Sequence, residues 1–355
     1  MRLPCLFLVA TSALFRVVSG VDSSHTCATI EVRREWRSLT STERKAWIDV
    51  NNCLNTRPRS GKLNPPVNTA VDYPGFFNQI VPINENSTYY DDLVYAHMNL
   101  NPLIHFTGFF LPWHRLYLHE WTNALRSECG YEGIAPYWDA ADFKNSAIWD
   151  IDPESGLGGF GDPNDDYTVK TGALNITLAY PIIHKLRRRY MPILDLENVT
   201  KIPANSTFSQ EEVDSLLAQP EGNFTAFHAS AERFVGMHTA IHYILGGDLA
   251  GGCPEGSSNT TACPIEGAPT FSPNENIDRF WWMWQEKSDL NKAAFHGGSV
   301  QNLSSLATYP NGQPPWLNKT SPIPTAGMFD SYTIEQVMDT RNWPLYNGTP
   351  IEPLR

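Results

Sequence analysis

Three histidines, His97, His105 and His114, fall within eighteen positions of a 355-residue chain, in the segment HMNLNPLIHFTGFFLPWHR (97–115). The residues between them are rich in Leu, Phe and Trp, so the segment enters a core and takes its imidazoles along. A single histidine is ordinarily a satisfied core residue or a surface residue. Three buried together carry a desolvation cost that shared ligation removes. Neutral imidazole is a ligand for copper, zinc, iron or nickel. Three imidazoles on one ion leave coordination positions open, as in catalytic rather than closed structural sites.

A second pair, His238 and His242, stands in MHTAIH. Spacing of four on a helix puts both rings on one side. Two histidine groups on facing helices suggest a binuclear site in a bundle core. All-imidazole donors disfavour magnesium, calcium and di-iron carboxylate chemistry and suit copper first, zinc second.

Helical spacing surrounds these residues. The segment 31–54 reads as a helix, with a capping-box pattern at Thr40 and Glu43 and an apolar face of Trp47, Val50 and Leu54. A second helix is expected over Tyr89–Asn99, with Tyr90, Leu93 and His97 on one face. A third starts near Pro112, a favourable first-turn residue, and aligns His114, Leu118, Trp121 and Leu125. A fourth is expected as one element over Ala226–Leu245, and a fifth, heavily aromatic, over Asn276–Lys287. No repeat is found, and strand-like alternation is scarce. The fold expected is mainly α, a four-helix bundle core with long loops and little β structure.

The first twenty residues, MRLPCLFLVATSALFRVVSG, have a basic start, an apolar stretch and small residues for cleavage, and read as a secretory signal peptide. Residues 21–355 then form one domain. Nine N-x-S/T triplets, at Asn86, Asn175, Asn198, Asn205, Asn223, Asn259, Asn302, Asn318 and Asn347, suit a secreted glycoprotein. Cys253 and Cys263 flank a polar loop and are expected to staple it; among Cys27, Cys53 and Cys129 at most one pair can form. The formal charge of −12 argues against nucleic acid or an anionic membrane as partner. The basic run Lys185–Arg189 reads as a solvated helix face.

With these residues in place, the chain resembles the tyrosinase/catechol oxidase family of type-3 copper proteins, and most the short secreted fungal members. The resemblance rests on the spacing from His97 to His114, FLPWHRLYLHEW (110–121), APYWDA (135–140), MHTAIHYILGG (237–247), FSPN (271–274) and IDRFWWMWQ (277–285). It spans about Arg34 to Gln285. It implies that His97, His105 and His114 hold one copper and that His238 and His242 belong to a second. It implies oxidation of phenols or o-diphenols to o-quinones with O2, the substrate being a small phenol or a tyrosine in a peptide or secondary-metabolite precursor. Glu232, six residues before His238, is either an acid that orients water or takes a phenol proton, or a solvated glutamate.

The chain departs from the family at three places. The third histidine of the second copper is absent: Asn274 runs directly into Glu275-Asn276-Ile277-Asp278, and no histidine lies between His242 and His296. Either an exon edge has been trimmed or the deletion is real and leaves an altered second site. His296 reads as a loop residue, and His119 is adjacent to the first group. Leu103 excludes the Cys–His thioether of some fungal members, and Thr239 replaces an Asn that accompanies monophenol hydroxylation. Two other readings compete: a mononuclear metal protein using the first three histidines, such as a zinc hydrolase, and a non-catalytic protein that keeps the fold.

Overall fold

A computed structural model describes residues 31–72, 79–80, 82–141, 146–194, 201–258, 261–263, 274–342 and 344–345. The proposed signal peptide, Cys27, Asn198, Asn259 and Asn347 lie outside the described residues.

The architecture is mainly α, as the sequence predicts. The principal helices are α1 (Ser41–Leu54), α2 (Tyr89–Ile104), α3 (Phe110–Cys129), α4 (Gln210–Leu217), α5 (Phe224–Ala231), α6 (Met237–Leu245), α7 (Asn274–Gln285) and α8 (Ile334–Met338). Strands among the described residues are two to four residues long and form two-stranded pairs only.

Capping fixes where the first helices begin. Thr40 accepts from the Glu43 amide while the Glu43 carboxylate accepts from the Thr40 amide, so α1 starts at Ser41. Residues 31–40 are therefore not helical apart from a short 3-10 turn at Trp36–Ser38. Thr88 and Asp91 repeat the device at the start of α2. That helix runs to Ile104, past the expected end, and contains Pro102. At the far end of α3, Gly130 takes a left-handed conformation (φ 68°) and its amide closes on the Arg126 carbonyl.

α3 is the central element. Trp113, Trp121, Leu116 and Leu125 are buried on it, and it packs against α1, α7 and α8. Arg115, on the same helix, is buried as well. Its Nε donates to Asp278 Oδ1 at 2.5 Å, its Nη1 donates to the Met338 carbonyl at 2.9 Å, and its guanidinium lies 3.7 Å over the Trp281 ring. Asp278 Oδ2 also accepts from Arg33. One buried cation thus ties α3 to α7 and α8. Removing Asp278 would leave Arg115 without its carboxylate as a buried charge.

Two expectations are corrected. The run Lys185–Arg189 is extended rather than helical, and two of its arginines are buried rather than solvated. Arg187 is drawn in by Asp248 and Asp166, and Arg188 donates to the Gly158 carbonyl at 2.7 Å. The single helix expected over Ala226–Leu245 is two, α5 and α6. Glu232 closes α5, and Gly236 is extended (φ −141°, ψ −178°) before α6 begins.

Two disulfides are present among the described residues. Cys253–Cys263 staples its loop as expected, and Cys53–Cys129 ties the end of α1 to the end of α3. The second closes a span of 76 residues, and the loop entropy it removes from the unfolded chain is worth roughly 2–5 kcal/mol. A Cys53→Ser/Cys129→Ser double variant is expected to lose about that much in urea unfolding. An unchanged midpoint would show that the bridge contributes nothing.

His119, on α3, is 9% exposed, and its Nε2 accepts from Asn123. Burial, then the nearby Arg33 and Arg126 charges, lower its pKa to about 4. Its folded pKa lies below the unfolded value of about 6.5, so the unfolded chain binds the extra proton between these limits. Stability from this group is therefore present above pH 6.5 and is lost as pH falls toward 4, by about 3 kcal/mol. His119→Gln is expected to flatten that part of the acid limb in urea midpoints measured from pH 7 to 4.5. An identical acid limb in both proteins would refute it.

Candidate metal centre

The described residues bring His97, His105 and His114 together. Each offers one ligand atom, and these atoms lie within 4.8 Å of one another. His97 sits in the middle of α2, His105 immediately after its end, and His114 in the first turns of α3. All three are buried. Among the described residues this is the one group of three or more metal-type donors so arranged. Trp113 and Tyr117, stacked on each other at 4.7 Å, wall the His97 ring at 5.4 and 5.9 Å.

Hydrogen bonds to backbone carbonyls fix the tautomers. A carbonyl only accepts, so the imidazole nitrogen facing it carries the proton. His114 Nδ1 donates to Phe110 O at 2.7 Å, and His105 Nδ1 donates to Asn101 O at 3.3 Å. His242 Nδ1 donates to Leu249 O at 3.0 Å. In each, Nε2 is then the nitrogen with the lone pair, as expected of a metal-binding histidine held by an outer hydrogen bond.

His238 and His242 lie on one side of α6, both buried. Their Nε2 atoms are 3.3 Å apart, and those of His97 and His114 are 3.2 Å apart. Two nitrogens each ~2.0–2.1 Å from one ion at a tetrahedral angle lie about 3.3 Å apart. The pairs therefore have the spacing of imidazoles that share an ion. The donor set, nitrogen only, fits copper or zinc and not a hard cation. The halves adjoin: the His105 and His238 rings are 5.6 Å apart, and the His114 and His238 rings 6.2 Å.

The second half has two histidines. The chain contains ten. Beyond the five ligand candidates, His119 is paired with Asn123, His184 with Asp248, and His228 with Glu232. His296 is exposed, with its ring against Trp316 at 4.9 Å. His25 lies outside the described residues. None of those described supplies a third imidazole to His238 and His242.

Glu232 is buried, which removes the reading of a solvated glutamate. Its Oε2 accepts from the Phe106 amide at 2.7 Å and shares a proton with His228 Nε2 at 2.7 Å. Its Oε1 is buried without a hydrogen-bond partner. Burial pushes the Glu232 carboxyl well above the usual range, and lowers His228 to about 3. The pair is thus held in its neutral form. Sequence reasoning did not single out His228. The signal was there, since His228 and Glu232 stand four apart and share a helix face.

Comparison with known proteins agrees with this geometry. Residues 87–287 match the common central domain of tyrosinase. The chain is 36% identical to the N-acetyl-6-hydroxytryptophan oxidase of Emericella nidulans, over 94% of this chain and 96% of that one. It is 28% identical to a tyrosinase-like protein of Diaporthe leptostromiformis, over 89% of this chain and 78% of the other. A polyphenol oxidase from Thermothelomyces thermophila has the same fold, with a TM-score of 0.63 at 24% identity, covering 91% of this chain and 89% of that one.

If the donor sets act as their spacing indicates, copper titrated into metal-free protein fills two classes of site, the three-histidine site tighter than the two-histidine one. His114→Ala is expected to abolish the tight class and retain the weak one, read by metal analysis after dialysis. A single class that survives His114→Ala would contradict this.

Proposed function

The chain belongs to the tyrosinase family, and from that premise we propose that it is a secreted copper oxidase that converts a phenol or o-diphenol to an o-quinone with O2. The observation that supports this best is the meeting of two imidazole sets across 5.6 Å, His105 to His238, each with Nε2 atoms spaced for one ion. His97, His105 and His114 would hold one copper, and His238 and His242 a second. Bound copper supplies the redox chemistry that couples phenol oxidation to O2 reduction, which no side chain here provides. Each o-diphenol gives up two electrons and two protons, so two diphenols reduce one O2 to two waters.

The chain's own residues do the rest. Carbonyls of Asn101, Phe110 and Leu249 hold three rings in the Nδ1-protonated form. The buried Trp113, Tyr117 and Phe110 line the imidazoles with apolar surface. Phe106, next to His105 in the chain, and the exposed Phe234 lie 6.5 Å apart, and we assign them as the rings that an aromatic substrate would meet. Glu232 Oε1, the carboxyl atom without a partner, is the hydrogen-bond acceptor we assign to a phenol hydroxyl or an ordering water. Thr239 beside His238 favours o-diphenols over monophenols as substrates. The Emericella relative acts on a hydroxylated indole, which is itself a phenol, so hydroxyindoles and o-aminophenols belong among the candidate substrates.

The paired cysteines and the exposure of Asn86, Asn175, Asn205 and Asn318 support passage through an oxidising, glycosylating compartment. A mononuclear zinc hydrolase is less well supported, because a second imidazole pair adjoins the first group.

Copper-loaded protein is expected to consume O2 with catechols and hydroxyindoles and to form quinone, read by absorbance and an oxygen electrode. His242→Ala is expected to reduce the rate at least ~100-fold, since the second ion loses half its donors. Fully metallated protein that oxidises none of these substrates would refute the proposal.

A further inference from the structure

His105 differs from the other four ligand candidates in having no helix under it. It caps the end of α2, with extended backbone (φ −115°, ψ 140°), and its Nδ1 bond to Asn101 is the longest of the three carbonyl bonds. The next residue, Phe106, has φ 52°, a left-handed conformation that non-glycine residues rarely hold without support. What orients the His105 ring must therefore come from outside this short segment.

The peptide linking His105 to Phe106 is gripped on both edges. Its carbonyl accepts from Gln301 Nε2 at 3.1 Å, and its N–H donates to Glu232 Oε2 at 2.7 Å. Glu232 is in turn held by His228 Nε2 at 2.7 Å, on the same oxygen. The His228 ring is fully buried and stacks on Phe110 at 5.3 Å and 14°. Phe110 also touches the His114 ring at 4.8 Å and the His238 ring at 5.0 Å.

We propose that His228 is a positioning residue: acting through Glu232, it locks the His105–Phe106 peptide and so fixes the His105 ring in its metal-binding pose. The assignment rests on the reading of His105 as a copper ligand. It explains why a histidine and a glutamate are buried together on α5, a helix that carries no ligand itself. It also links that helix to the loop between α2 and α3, so that the corner preceding the second histidine pair and the loop of the first set are held by one pair of side chains. Outer partners of metal-binding histidines typically contribute ~10–100-fold in metal affinity.

The test measures copper affinity of metal-free protein by competition with a colorimetric Cu(I) chelator, without turnover. His228→Leu keeps bulk and removes the hydrogen bond; His228→Gln restores an N–H at the same reach. The tight site is expected to weaken ~10–100-fold in the Leu variant and to recover most of that in the Gln variant. Gln301→Ala, which releases the same peptide from its carbonyl edge and leaves the buried pair intact, is expected to weaken the same site.

Wild-type affinity in His228→Leu would overturn the assignment. So would a loss that His228→Gln does not restore, which would mark a packing role. If His228→Leu does not fold, Gln301→Ala decides, and unchanged affinity there overturns it. A wild-type chain that binds no copper would overturn the metal reading itself and the assignment with it, which separates the two failures.

Discussion

Buried imidazoles that meet nitrogen to nitrogen are the constraint on which this structure turns, and the described residues contain two such pairs. His97 and His114 meet through Nε2 at 3.2 Å, and His242 and His238 at 3.3 Å. Backbone carbonyls hold the Nδ1 protons of His114 and His242, so in each pair that ring presents its Nε2 lone pair to its neighbour. A shared cation would take the lone pairs of both rings of a pair. Burying so many imidazoles together carries a desolvation cost that such ligation offsets. The aromatic packing around α3, the Arg115–Asp278 pair and the Cys53–Cys129 bridge all brace the helix from which His114 projects.

Rigidity is distributed unevenly around the histidines. Four of them ride on helices, whose backbone is fixed by its own hydrogen bonds. His105 does not, and Leu103 leaves no thiol to tether its ring covalently. The segment is instead held through polar contacts: Thr107 Oγ1 to the Leu103 carbonyl at 2.5 Å, the Gly108 amide to the Gly298 carbonyl at 2.9 Å, and the two-edged grip of Glu232 and Gln301. Glu232 thereby has two faces. One oxygen is committed to the loop, and the other, Oε1, has no partner. A carboxyl so divided can hold the loop and still offer one atom to chemistry.

Local rules were legible in the sequence because they depend on neighbours a few residues apart. The capping box at Thr40 and Glu43, the first-turn place of Pro112 and the facing of His238 and His242 are of this kind. The histidine triad was legible because its spacing is unusual in so apolar a segment. What could not be read depends on distant partners. Arg187 and Arg188 look solvated until Asp248 and the Gly158 carbonyl are placed beside them. The break between α5 and α6 has only Gly236 to announce it, and a helix tolerates one glycine. His228 looks like any histidine until its partner Glu232 is seen to hold the Phe106 amide, 126 residues away from Glu232 in sequence.

The two-histidine half is built with as much care as the three-histidine half. His242 is oriented by the Leu249 carbonyl, and the turn that presents this carbonyl is itself anchored. Asp248, fully buried, accepts from the Arg187 amide at 2.8 Å and from its guanidinium at 3.1 Å, and meets His184 Nε2 at 3.1 Å. Such anchoring is dispensable for a histidine that merely fills space, since an apolar side chain would do so without unmet polar atoms. It is needed for one that must present a lone pair in a fixed direction. The shortage of a third imidazole therefore bears on how tightly the second ion is held, while the anchored orientation of His242 argues that the half-site is shaped for an ion.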